Sequence, residues 1–165
     1  MTSLERVLCA LRGEPADRRV FTLALSLYGA RLSGCPIRSY YSDPMRYLEG
    51  QREVVRFIDP DIVFAPFALP FEALAYGGEG VWLDKFPPNV RKPPFREQDP
   101  VQPLGDDLLL QQGVAYLVES TRLLAEDAFS CYTWNMNLVF ELSMRLGKNY
   151  VFLYRFFCCS GCVRF

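Results

Sequence analysis

Apolar residues recur along the chain at two periods, and each change of period marks an element. Leu4, Val7, Leu8 and Leu11 repeat at helical spacing, with Thr2 placed to cap and Glu5 three residues later to complete a capping box. Gly13 supplies the stop. After a charged turn, Glu14-Pro15-Ala16-Asp17-Arg18, the run Val20-Phe21-Thr22-Leu23-Ala24-Leu25 reads as a buried strand. Asp43-Pro44 is an N-cap followed by proline at the first helical position. The helix it predicts carries Met45, Leu48, Val55 and Ile58 on one face, arginines and glutamates opposite, and ends at Asp59-Pro60.

A second apolar run, Asp61-Ile62-Val63-Phe64-Ala65, predicts another buried strand. Leu69 to Tyr76 predicts a short helix closed by Gly77-Gly78, and Val81-Trp82-Leu83 a third short strand. Pro87 to Pro103 is proline-rich and polar, and reads as a surface loop. Asp106 is the cap of the last clear helix, with Leu110, Val114, Leu117, Thr121, Leu124 and Ala128 in register. Strand and helix alternate and the strands are apolar on both faces, which predicts an α/β fold with a parallel sheet. The runs at 20–26 and 61–65 are expected to be parallel, because each is followed by a helical return.

Composition divides the chain into 1–129 and 130–165. All twelve prolines lie at or before Pro103, no aspartate follows Asp127, and four of six cysteines (Cys131, Cys158, Cys159, Cys162) fall in the second segment. There Leu138 to Leu146 fits a helix, and Tyr150 to Phe157 an aromatic strand or an aggregation-prone run. At 165 residues the whole is one domain of ordinary size. A net charge of −1 argues against general nucleic-acid binding. No apolar run reaches the roughly 20 residues of a membrane span, and no secretory pattern opens the chain, so a cytoplasmic location is expected. There is no histidine, which excludes a Ser-His-Asp triad, a His metal ligand and an imidazole proton shuttle.

The opening Glu5-Arg6-Val7-Leu8-Cys9-Ala10-Leu11-Arg12-Gly13-Glu14-Pro15-Ala16-Asp17-Arg18 resembles the start of the uroporphyrinogen decarboxylase family, which also contains corrinoid-dependent methyltransferases acting on coenzyme M. Asp59-Pro60-Asp61-Ile62-Val63-Phe64 is similar to that family's second strand, and Phe71-Glu72-Ala73-Leu74-Ala75-Tyr76-Gly77 to the turn that follows it. The resemblance covers residues 1–129 and implies a (β/α)₈ barrel with its site at the C-terminal ends of the strands. It also implies a tetrapyrrole ligand, or a corrinoid presented by a partner protein. The decarboxylases use no cofactor; the methyltransferase-like members use zinc.

This chain departs from the family at named positions. Where the decarboxylases carry an F-S-D run whose aspartate meets the pyrrole nitrogens, it reads Phe64-Ala65-Pro66. Of the decarboxylases' arginine-rich run after the first strand, only Gly29-Ala30-Arg31 is comparable. The His-x-Cys pair and later Cys that hold zinc in the methyltransferases have no histidine here to supply them. These departures favour the methyltransferase-like branch over a true decarboxylase. The length accommodates only the first β/α units of a barrel, and Ser130-Cys131-Tyr132-Thr133-Trp134 does not continue the family's pattern. The expectation is therefore a partial barrel with a divergent tail, a reading frame that leaves its ancestral course near residue 129, and an inactive chain. Open sheet edges imply self-association.

Arg31 and Tyr28 follow the first strand, where barrel enzymes place chemistry; Arg31 either forks onto a substrate carboxylate or is a solvated loop arginine. Glu72 lies among apolar neighbours after the second strand and is either a proton-transfer group with a raised pKa or a helix cap. Asp59 and Asp61 look like paired carboxylates but read as structural, and Tyr40-Tyr41 as core packing. Cys159-Ser160-Gly161-Cys162 is a C-x-x-C without the further ligands zinc requires, and reads as accidental; no metal or cofactor is expected in this chain. Two other readings stay open: a non-catalytic remnant that keeps the packing motifs, and a small binding module whose Cys-rich tail carries a metal.

Overall fold

Thr2 Oγ1 accepts the Glu5 N–H at 3.2 Å and the Glu5 carboxylate accepts the Thr2 N–H at 2.8 Å. This reciprocal cap starts α1 (Ser3–Arg12), and Gly13 ends it in the left-handed conformation at φ 71°. A computed structural model describes residues 1–23, 27–68, 70–95, 111–127 and 132–134. The α1 stripe is not purely apolar: Arg6 and Val7 are buried whereas Leu11 is exposed. Arg6 is buried because it has partners, pairing with Asp17 at 2.7 Å and with Asp61.

Two short helices follow, α2 (Tyr28–Ser33) and α3 (Ile37–Tyr40), separated by Gly34 at φ 68° and by Pro36. Asp43 accepts the Met45 N–H at 2.9 Å and begins α4 (Pro44–Ile58), which Asp59 ends at φ 45°. The buried face of α4 is Tyr47, Leu48, Gly50, Gln51 and Val54. Met45, expected on that face, is turned to solvent, and Tyr47 and Gln51 are buried there although an apolar pattern does not include them.

Strand β1 (Ile62–Phe64) leads into α5 (Pro70–Ala75), a hairpin of β2 (Glu79–Val81) and β3 (Asn89–Lys92), then α6 (Gln112–Glu126) and β4 (Tyr132–Trp134). β1 and β4 pair in parallel, Val63 opposite Thr133. α4 packs on α2 and α6, with Arg52 Nε 2.7 Å from Asp127 Oδ2 joining its flank to the end of α6. The core is unusually phenolic, and the hydroxyls of Tyr40, Tyr47 and Tyr116 are paired. Tyr47 donates to the Phe64 carbonyl at 2.9 Å, Tyr116 donates to the Tyr40 carbonyl at 2.8 Å, and the Tyr40 hydroxyl accepts from Gln51 at 2.8 Å.

Several expectations need correction. Residues 20–23 form no strand, and 24–26 lie outside the described residues. The segment still runs beside β1: the Asp61 N–H donates to the Phe21 carbonyl at 2.7 Å and Thr22 Oγ1 to the Ile62 carbonyl at 2.9 Å. Residues 20–23 make these bonds without forming a ladder, and the parallel partner of β1 among the described residues is β4. Tyr132–Trp134 is a strand after all, so the α/β alternation passes the compositional break at 129. Within the proline-rich stretch Asn89–Lys92 is strand β3 rather than loop, because the prolines at 87–88 and 93–94 flank it without interrupting its donors. β2 begins at Glu79 rather than Val81. Asp106 lies outside the described residues, and α6 begins at Gln112 behind Gln111, which makes no side-chain cap.

Candidate functional site

The Tyr47–Phe64 bond sets the geometry of the site. It ties the first turns of α4 to the C-terminal end of β1, and thus places α2 and α3, which precede α4, at that end of the sheet. α2 is held there by a close crossing over α4, where Gly29 meets Gly50 under the Tyr40 ring. A cavity of about 610 Å³ opens between α2, α3 and the tip of the hairpin, lined among others by Tyr28, Arg31, Cys35, Ile37, Asp84 and Lys85.

The structure therefore brings together Tyr28 and Arg31, two of the residues singled out from sequence. Arg31, in the last turn of α2, is exposed and has no carboxylate in ion-pair contact among the described residues. The Tyr28 ring packs at a tilt on Phe57, centroids 6.1 Å apart, which holds the start of α2. Two charged residues of this cavity have no signal in the sequence. Asp84 and Lys85 arrive from the β2–β3 turn, and without knowledge of β3 there was no signal that this turn folds over α2. The lining thus carries two cations and one acid around an apolar wall, which suits an anionic ligand with apolar body. Burial pushes the Cys35 thiol pKa up, so it stands protonated at neutral pH rather than as a thiolate ligand or nucleophile.

The other candidates separate. Glu72 is in the first turn of α5, and its side chain lies outside the described residues. Asp59 is the left-handed cap of α4. Asp61 is completely buried, 2.5 Å from Arg18, paired with Arg6, and accepting the Phe21 N–H at 2.8 Å. Burial opposes its ionisation, but the Phe21 N–H, Arg18, Ser3 and Arg6 outweigh that and hold its pKa below the usual value. It clamps α1, the 17–22 segment and β1 together, as the structural reading expected. Tyr40 and Tyr41 are core residues. Pro66, fully buried, follows β1.

Zinc does not fit the described residues. No three Cys, Asp or Glu side chains converge among them, and the chain has no histidine. Cys131 and the C-x-x-C at 159–162 lie outside the described residues. No helix among the described residues is long and apolar enough to cross a membrane.

The family profile of uroporphyrinogen decarboxylase (URO-D) matches residues 2–130. The chain belongs to the uroporphyrinogen decarboxylase family. Among solved structures it is similar in fold to a methyltransferase from Methanosarcina mazei, with TM-score 0.68 and 20% sequence identity. That likeness covers 87% of this chain and 44% of the methyltransferase, so the chain spans less than half the length of that protein. No curated protein sequence matches it. Membership of the uroporphyrinogen decarboxylase family implies an α/β barrel fold, and the parallel β1–β4 pair accords with it.

Proposed function

We propose that this chain supplies the first β/α units of a uroporphyrinogen-decarboxylase-family barrel of the methyltransferase-like type, and that it binds a carboxylate-bearing tetrapyrrole or corrinoid without performing the family's chemistry alone. The observation that carries the binding half is the placement of Arg31, with Tyr28 and Lys85, on one cavity beyond the strand ends. An arginine fork suits the acidic arms of a tetrapyrrole, and the lysine supplies a second point charge. Glu72, on the neighbouring α5, is proposed as the proton-transfer group of the completed site. Supporting the methyltransferase-like reading are the fold shared with the Methanosarcina protein and Pro66 at the place of the decarboxylases' aspartate.

The proposal of an inactive chain rests on chemistry rather than on length. Proline offers no carboxylate to pyrrole N–H groups, and without histidine the zinc set of the methyltransferases cannot form. Self-association follows from the same architecture: among the described residues, β1 and β4 form a sheet of only two strands, and unpaired edges invite a further strand. The proposed reading is tested by titrating the protein with uroporphyrin and with its octamethyl ester. Saturable binding of the acid alone supports it; equal binding of the ester removes the carboxylate recognition on which it depends.

A further inference from the structure

A second cavity, of about 470 Å³, lies between α3, α5, β2 and the start of α6, apart from the one that holds Arg31. Three rings build its wall. The Phe71 centroid lies 6.3 Å from that of Trp82 and 5.3 Å from that of Tyr116, both tilted against it. Phe71 and Tyr116 are buried and Trp82 is half-buried, so the rings are fixed by packing. Gly113 keeps the wall in place, because a Cβ there would come within 2.7 Å of the Phe71 ring; α6 can approach α5 this closely only with glycine at that position.

Among the described residues, one charge faces the space. The Arg38 guanidinium lies over the Trp82 ring, 5.8 Å from its centroid. Among the described residues no carboxylate pairs with it, and none lines the cavity. A guanidinium stacked on an indole keeps its face covered and its N–H edge free to fork onto an anion. Gln111 also lines the space; it precedes α6 and gives its own helix no side-chain cap, so its amide is not engaged there.

From this juxtaposition we infer a binding site for a small planar aromatic monoanion: the ring system lies against Phe71, Trp82 and Tyr116, and its acid group meets Arg38. The volume suits a one- or two-ring acid and is within the range of small-molecule pockets. A polyanion is disfavoured, since among the described residues Arg38 is the one cation lining the cavity. An aliphatic acid would forgo the stacking that the three fixed rings offer.

The test uses 2-naphthoate, with the neutral 2-naphthamide of the same shape, each followed by its own fluorescence anisotropy on titration with the protein. Naphthoate is expected to bind at least tenfold tighter than naphthamide. Arg38→Gln should weaken naphthoate about tenfold or more and leave naphthamide unchanged, since only the charged contact is lost. Arg38 is exposed and makes no ion pair among the described residues, so the variant folds as the wild type does. Arg91→Gln, which removes another exposed arginine outside this cavity, should bind naphthoate like wild type. Equal affinity for acid and amide, equal binding by wild type and Arg38→Gln, equal weakening by both substitutions, or no saturation at millimolar ligand would each overturn the assignment.

Discussion

Gly29 of α2 and Gly50 of α4 cross so closely that a Cβ on either would stand 2.8 Å from the other's carbonyl carbon, with the Tyr40 side chain closing the remaining space. This crossing sets where α2 lies, and α2 carries Tyr28 and Arg31. Replacing a helical glycine by alanine ordinarily stabilises by up to about 1 kcal/mol. Here the neighbouring atoms are backbone and cannot swing aside, so overpacking, at about 1–3 kcal/mol, wins. Gly29→Ala should lower the urea midpoint; a raised midpoint would mean that the helices separate at little cost.

Asp61 is the second fixed point. Removing its charge takes from Arg6, itself buried, one of its two carboxylate partners among the described residues and leaves Asp17 as the other. Breaking a buried ion pair from one side costs about 3–5 kcal/mol. Asp61→Asn should therefore destabilise strongly in chemical denaturation. Asp59→Asn should be close to neutral, because asparagine tolerates the left-handed conformation that Asp59 adopts at the end of α4. Similar effects from the two substitutions would refute the clamp.

Acid should act through the same cluster. The pKa of Asp17 is lowered chiefly by Arg6, and that of Asp61 is held down against its burial by the Phe21 N–H and the arginines. A carboxyl whose folded pKa lies below its unfolded value contributes stability above the unfolded value, near 4 for aspartate, and loses it as pH falls through the folded one. Thermal midpoints should be level from neutral pH to about 5 and fall below about 4. In Asp61→Asn the fall should be shallower. An equally steep fall in wild type and variant would place the acid sensitivity elsewhere.

Purified protein should neither decarboxylate uroporphyrinogen nor transfer a methyl group to a thiol, because Pro66 and the absence of histidine remove a required group from each reaction. Product analysis by chromatography checks both. Turnover in either assay would show that other residues of this chain can take those roles.

Local chemistry was legible in the sequence wherever one residue dictates a backbone state. The Thr2–Glu5 box, the Asp43-Pro44 start, the Asp59 stop and the glycine at 77, with φ 84°, all stand where their side chains or their lack of one require. Structure that depends on distant partners was not legible. α2 and α3 are too short to declare themselves by periodicity and exist because Gly29 fits Gly50 and Tyr40 fits the α4–α6 core. β3 was hidden by its flanking prolines, and with it the arrival of Lys85 beside Arg31. Arg38 drew no notice because only the fold stacks it on Trp82.

The central claim is that Arg31 recognises the acid groups of a tetrapyrrole-type ligand, whereas Asp59 has a purely structural role. Uroporphyrin binding, followed by the Soret band, should be compared in wild type, Arg31→Ala and Asp59→Ala. Losing a charge-assisted contact costs about 1.5–3 kcal/mol, so Arg31→Ala should bind roughly ten- to a hundredfold more weakly, with Asp59→Ala near wild type. Equal affinities for wild type and Arg31→Ala would contradict the account and take Arg31 out of the site.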